Sequence, residues 1–200
     1  MGDTVKPHLV LLKPSGFVPT AVPTDEALVE ACAAGDTDAL GILFDRRADD
    51  VARFVGRVVS GNRDDVDDLV QMTFIETMRS ARSFKGDSTA RTWILAIAAN
   101  VARNYIRSKV RRRRWLSFLA ESPPTPVPSP SVLLERRQSQ EQMSVFIAEL
   151  KHDLREVFVL CDVEKIPGPE VSKMLGIKPG TLWRRLHEAR QCLRQKLERA

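Results

Sequence analysis

Five of the ten residues from Glu121 to Pro130 (ESPPTPVPSP) are proline. A proline ring fixes φ, removes an amide donor and collides with the preceding helical turn, so no helix crosses such a run and no central strand contains it. The segment is therefore read as an extended or disordered linker, and the 200 residues as two small folding units. A composition of 43% hydrophobic and 28% charged residues gives each unit apolar mass for a core. Nowhere does the chain alternate apolar and polar residues with the period of a strand, and the expected fold class is all-α.

The linker apart, helix signals follow one another closely. Residues 1–23 carry Pro7, Pro14, Pro19 and Pro23 without helical periodicity, and are expected to form a disordered extension. Thr24 followed by Asp25 and Glu26 is an N-cap with an acidic first turn, and Leu28, Val29 and Cys32 supply an apolar face up to Gly35. A second helix starts near Asp36, with a stripe from Ala39, Leu40 and Leu43 to Phe54, Val55 and Val58. Gly61 and Asn62 break it. The third spans Asp64–Arg82 and buries Val66, Leu69, Val70, Phe74 and Met78. After a short loop, Ser83–Gly86, Asp87 and Ser88 are read as the cap of a fourth. Loops this short favour a bundle.

That fourth helix carries the strongest charge signal. Ile94, Ile97, Ala98, Val101 and Tyr105 share one face, while Arg103, Asn104, Arg107 and Lys109 lie off it and Arg111–Arg114 follow. From Asn100 to Trp115 there are 7 basic residues and no acidic one, whereas Asp25–Glu76 holds 13 acidic residues against 5 arginines. A chain divided this way is suited to two kinds of surface, one protein and one phosphate. The apolar cluster Trp115, Leu116, Phe118 and Leu119 then stands just before the prolines, either closing the first unit or meeting a partner.

Beyond the linker, Met143, Phe146, Ile147 and Leu150 mark one helix, and Leu154, Val157, Phe158 and Cys161 another. Next come a short helix with Pro169 at its start and Val171, Met174 and Leu175 on its face, a turn at Gly176, and a longer helix from Gly180-Thr181. The last is striped by Leu182, Leu186, Ala189, Leu193 and Leu197. Short helix, glycine turn and longer basic helix form a helix-turn-helix pattern, whose second helix enters the major groove by its first residues: Thr181, Trp183, Arg184, Arg185 and His187 here.

Cys32, Cys161 and Cys192 are odd in number, widely spaced and set among apolar residues, which points to reduced thiols in a cytoplasmic protein. No Cys or His pair has zinc-ligand spacing, so neither metal nor cofactor is expected. The longest early apolar run, Leu9–Leu12, is too short for a signal core or a membrane span.

Three segments, DDVDDLVQMTF, SFKGDSTARTWILAIAANVARNYIR and LREVFVLCDVEKIPGPEVSKMLGIKPGTLWRRLHEAR, resemble the extracytoplasmic-function (ECF, group IV) sigma factors of bacterial RNA polymerase, in the right order. The resemblance implies region 2 at 24–114, a linker at 115–140 and region 4 at 141–200. It implies core polymerase and promoter DNA as partners, and an anti-sigma factor as regulator. On the same ground Asp64, Asp65, Asp67, Asp68, Leu69 and Gln71 match the segment that docks on polymerase. Phe84, Lys85, Gly86, Asp87 and Ser88 match the loop receiving an unstacked minus-ten base, and Trp93, Asn100, Arg103, Asn104 and Arg107 the minus-ten-reading helix. Thr181, Trp183, Arg184, Arg185, His187 and Arg190 fall in the minus-thirty-five reader. Trp183 and Glu188 depart from the basic residues frequent there, and Trp183 either touches thymine methyls or packs on its own helix.

Two rival readings use the same residues. Asp64, Asp65 and Asp68 satisfy the Asp-Asp-x-x-Asp pattern by which all-α prenyl-transferring enzymes hold magnesium pyrophosphate. Yet no second acidic cluster exists, and the chain is short for a hollow helical barrel, so a non-catalytic role is expected. The alternative is a stand-alone helix-turn-helix repressor, which would hold duplex operator unaided.

Overall fold

Each of the first four helices begins where a side chain can satisfy its free amides. The computed structural model describes residues 22–59, 62–119 and 143–199, with backbone alone at 113, 114 and 116–119. Thr24 caps α1 (Asp25–Ala33) by accepting from the Ala27 amide at 3.2 Å. Asp36 accepts from the amides of Asp38 and Ala39 at the head of α2 (Thr37–Val59), and Asn62 from that of Asp65 in α3 (Arg63–Ser80). A 3₁₀ turn, Ala81–Ser83, carries α3 into the loop.

The fourth helix, α4 (Ala90–Leu119), departs from the sequence reading at both ends. Its cap is Thr89, whose hydroxyl oxygen accepts from the Thr92 amide at 3.2 Å, while Asp87 stays exposed in the loop. The Ala90 amide is taken by a carboxylate from another helix, Glu26 Oε1 at 3.0 Å. A tertiary partner thus fixes the start two residues later than the local signal suggests. At the far end the helix runs past Arg114 to Leu119, through the expected first residues of the linker, and Trp115 stands 66% exposed on it. The expected extension at 1–21 and the proline run lie outside the described residues.

Helices α1–α4 close around Leu43, Phe54, Val58, Leu69 and Ile94, and Phe44 meets Phe74 edge-on at 4.8 Å between centroids. Each such large side chain stabilises the bundle by about 1.5–3 kcal/mol relative to exposure. Asp25, nearly buried, receives Arg46 at 3.1 Å and Arg47 at 2.5 Å, tying α1 to α2.

The second module contains α5 (143–149), α6 (His152–Phe158), a π-helical stretch at Val159–Val163, α7 (Gly168–Leu175) and α8 (Pro179–Leu197). The sequence pattern gives a plain helix through Cys161; the structure widens it after Phe158. Lys165 follows at φ +59°, the left-handed region that side chains rarely adopt. Gly176 ends α7 at φ +63°, and the Ser172 hydroxyl donates to the Ile177 carbonyl at 2.6 Å to lock the turn. Leu182, Leu186, Ala189 and Leu193 of α8 are buried, whereas Leu197, read as the end of the same stripe, is half exposed.

The two modules are in contact. The α6 helix and the π stretch pack on α2, and α7 packs on α4. Their buried residues form one continuous cluster. The Arg155 guanidinium, itself nearly buried, donates to the Leu150 carbonyl at 2.9 Å and, across the junction, to the Val58 carbonyl at 3.0 Å. A cation at two helix C-termini satisfies carbonyls that the helices leave unpaired.

Candidate nucleic-acid interface

A groove of about 1000 Å³ runs between α3 and α4, walled by Met72 and Ile75 on one side and by Trp93, Ile97, Asn100 and Asn104 on the other. Asn100 and Asn104, one turn apart, are exposed, with Arg107 exposed beyond them. Met72 and Ile75, missed as surface residues because they sit among core positions of α3, are 54% and 50% exposed. The groove therefore offers amide groups beside apolar walls, which suits the edges and faces of unpaired bases.

At one end of the groove stands the loop 84–89. Phe84 leans on Trp93, ring centroids 5.2 Å apart and planes at 53°, so Trp93 is neither a core tryptophan nor a free one. Lys85, Gly86 (φ +75°) and Asp87 form the exposed crest, and Ser88 is half-buried. The crest is anchored by Thr89 and by the Glu26–Ala90 bond. That bond also holds the Glu26 carboxyl below its ordinary pKa, since the Ala90 amide stabilises the charged form.

Arg103 differs from its neighbours. It is half-buried on the flank of α4 and donates from Nη2 to Glu156 Oε1 of α6 at 3.2 Å. Glu156 is 4% exposed in its side chain. Burial pushes its pKa up while the Arg103 charge pulls the other way.

On the outer face of α3, Asp64, Asp67, Asp68 and Gln71 are exposed and form a continuous acidic surface. Two members of that group stand apart. Asp65 is half-buried near Lys109 Nζ at 3.4 Å, and the Tyr105 hydroxyl with that ammonium holds its carboxyl below the usual range. Leu69 is 2% exposed, so it supports the helix from the core and presents nothing to a partner.

In the second module, Trp183, Arg184 and His187 project from the first turns of α8, and Thr181 is half-buried at its start. Arg184 and His187 make no ion pair among the described residues. Arg185 and Arg190 point back: Arg185 donates to Asp153 at 2.6 Å, and Arg190 grips both oxygens of Asp162 at 2.8 and 2.7 Å. They tie α8 to α6 and the π stretch, with the Arg185 side chain 23% exposed and that of Arg190 53%. Trp183 lies over Gly168 at the head of α7; an added Cβ there would stand 2.7 Å from its ring. The indole therefore packs within the helix-turn-helix, with 53% of the residue still exposed.

Among the described residues no group of three or more His, Cys, Asp or Glu side chains could hold a metal, and no helix is long and apolar enough to cross a membrane.

Residues 43–112 match the Sigma-70 region 2 family and residues 140–193 the Sigma-70, region 4 family. Over 185 residues the chain is 32% identical to the ECF RNA polymerase sigma-E factor of Haemophilus influenzae, covering 88% of this chain and 96% of that protein. It is 30% identical to the sigma-E factor of Escherichia coli K12, covering 88% and 95%. The sigma factor RpoE of Bartonella quintana, solved with the anti-sigma factor NepR, shares the fold at a TM-score of 0.61 and 20% identity, covering 78% and 94%. With both sigma-70 regions present in order, and near-full-length similarity to these proteins, the chain belongs to the ECF group of RNA polymerase sigma factors.

Proposed function

We propose that the exposed carboxylates Asp64, Asp67 and Asp68, with Gln71, dock the first module on core RNA polymerase, and that the groove between α3 and α4 captures the non-template strand of the minus-ten element. The observation that carries this is the pairing of exposed Asn100 and Asn104 with apolar walls, ending at a loop whose Phe84 leans on Trp93 at a tilt. Binding of unstacked bases there offsets the cost of melting. Lys85, Gly86, Asp87 and Ser88 frame the receiving loop, and Arg107 meets backbone phosphate. In the second module Arg184, His187 and Thr181 meet the minus-thirty-five duplex, with the exposed edge of Trp183 beside them. The role is non-catalytic and is carried out with polymerase in the cytoplasm. A protein of the anti-sigma class is its expected regulator.

Reconstituted transcription with core polymerase tests the division of labour. Asn100→Ala is expected to lower promoter opening while leaving core binding intact, and Arg184→Ala to weaken upstream duplex binding with the same core affinity. Equal loss of core binding in both variants would refute it, as would tight, specific promoter binding by the chain alone.

A further inference from the structure

Helix α1 lies ahead of residues 43–112, the segment that matches the region 2 family. It nevertheless holds both ends of the loop that leads from α3 to α4. At the near end Arg82 Nε donates to the Ala33 carbonyl at 3.2 Å, one of the last carbonyls that α1 leaves unpaired. At the far end Glu26 Oε1 accepts from the Ala90 amide at 3.0 Å, one of the first amides that α4 leaves free. Ala90 is fully buried, so removing Glu26 would strand its amide away from water, the costly way to break a hydrogen bond.

The two anchors stand roughly 10 Å apart along the axis of α1. Between them the crest has open space around it. Lys85, Gly86 and Asp87 are exposed, and nothing lies within 4 Å of the place a Gly86 Cβ would take. Only Phe84 turns inward, its amide on the Ala81 carbonyl at 3.1 Å and its ring against Trp93. A loop held at its two ends takes the span and direction that its anchors impose, and a shape set beforehand spares a ligand the ordering cost. We propose that α1 is the brace of this loop, with Glu26 and Arg82 as positioning residues that set which base the loop accepts without touching it. The inference rests on the assignment of the loop and groove to the minus-ten strand. A helix that merely completed the bundle would act on stability, and so on every strand alike; a brace acts on one base.

The test uses the full chain assembled with core RNA polymerase and a random-sequence pool of single-stranded 12-mers. Retained strands are sequenced, and those kept by core polymerase alone are subtracted. Glu26→Ala is expected to lower the preference at one position about tenfold, because the loop spends less time in its accepting shape, while the other positions keep theirs. Glu26→Gln, which keeps an acceptor oxygen for the Ala90 amide, should restore it. Preferences left unchanged by Glu26→Ala, or weakened evenly at every position, overturn the brace, as does a Glu26→Gln profile no better than that of alanine. Should Glu26→Ala fail to assemble with core polymerase, Arg82→Met decides, since it removes the other anchor at an exposed site. It must weaken one position, distinct from the one that Asn100→Ala erodes, and an unaltered profile refutes the proposal. Asn100→Ala also keeps the two readings apart. If it erodes its own position while the α1 anchors erode none, the groove stands and the brace falls. If the wild type retains strands no better than core polymerase alone, the groove reading fails and the brace with it.

Discussion

Replacing Gly168 by alanine adds one methyl group at a place where the structure gives a sign as well as a size. An ideal Cβ would lie 2.7 Å from Cη2 and Cζ2 of Trp183 and 3.1 Å from Cδ2 of Leu182. Carbon atoms in contact settle about 3.5–4.0 Å apart, so the indole must retreat by roughly 1 Å. Overpacking of that order costs about 1–3 kcal/mol. In a Trp183→Ala background the two nearest atoms are gone, and the next, Leu182 Cδ2, stands at 3.1 Å. There the same substitution stabilises by up to about 0.4–1 kcal/mol, because alanine restricts the unfolded chain and Gly168 has no positive φ to lose. The effect of one methyl should thus change sign, with a coupling energy on the order of 2 kcal/mol. Urea unfolding of the wild type, both single variants and the double variant, followed by far-ultraviolet circular dichroism, closes the cycle. Equal destabilisation by Gly168→Ala in both backgrounds would refute the packing of Trp183 on α7, and with it the burial of one side of this ring within the helix-turn-helix.

Two further outcomes follow from single side chains. Both ring nitrogens of His152 are sealed from solvent without a well-formed hydrogen bond among the described residues, and burial lowers its pKa from the ordinary 6.5. The unfolded chain then binds a proton that the folded chain refuses, so stability should fall as pH drops below 6.5. Melting temperatures between neutral and mildly acidic pH should slope less for His152→Gln, and parallel curves would contradict this. Gly176→Ala, with open space around its Cβ but φ at +63°, should cost about 1–2 kcal/mol from the backbone alone, and Gly176→Asn less; equal melting temperatures for all three would contradict the left-handed turn.

Much of the fold is legible because it depends on neighbours in sequence. Thr24 announces its helix, and the stripe Leu182, Leu186, Ala189, Leu193 is what a helix of period 3.6 must bury. The start of α4 is not legible, since Glu26, more than sixty residues away, supplies the acceptor that settles it. Charges are legible as faces but not as pairs. Periodicity puts Arg185 and Arg190 off the apolar stripe of α8, yet whether they face DNA depends on Asp153 and Asp162, which only packing brings across. The same holds for Arg103, a nucleic-acid residue by pattern and a partner of Glu156 by contact. Nothing in the run Val159–Val163 announces a π turn, and nothing there announces that Glu164, just beyond it, meets Arg57 and Arg91 of the first module.

That wide turn amounts to a rotational offset. A helix advances about 100° per residue, so a chain one residue shorter between Phe158 and Glu164 could close the same turn in ordinary α geometry with every backbone bond intact. It would swing the carboxylate roughly a quarter-turn off its two guanidinium groups. Among relatives, a one-residue gap at this place should therefore travel with the loss of arginine at the positions of Arg57 and Arg91, and would mark sigma factors whose two halves rest apart.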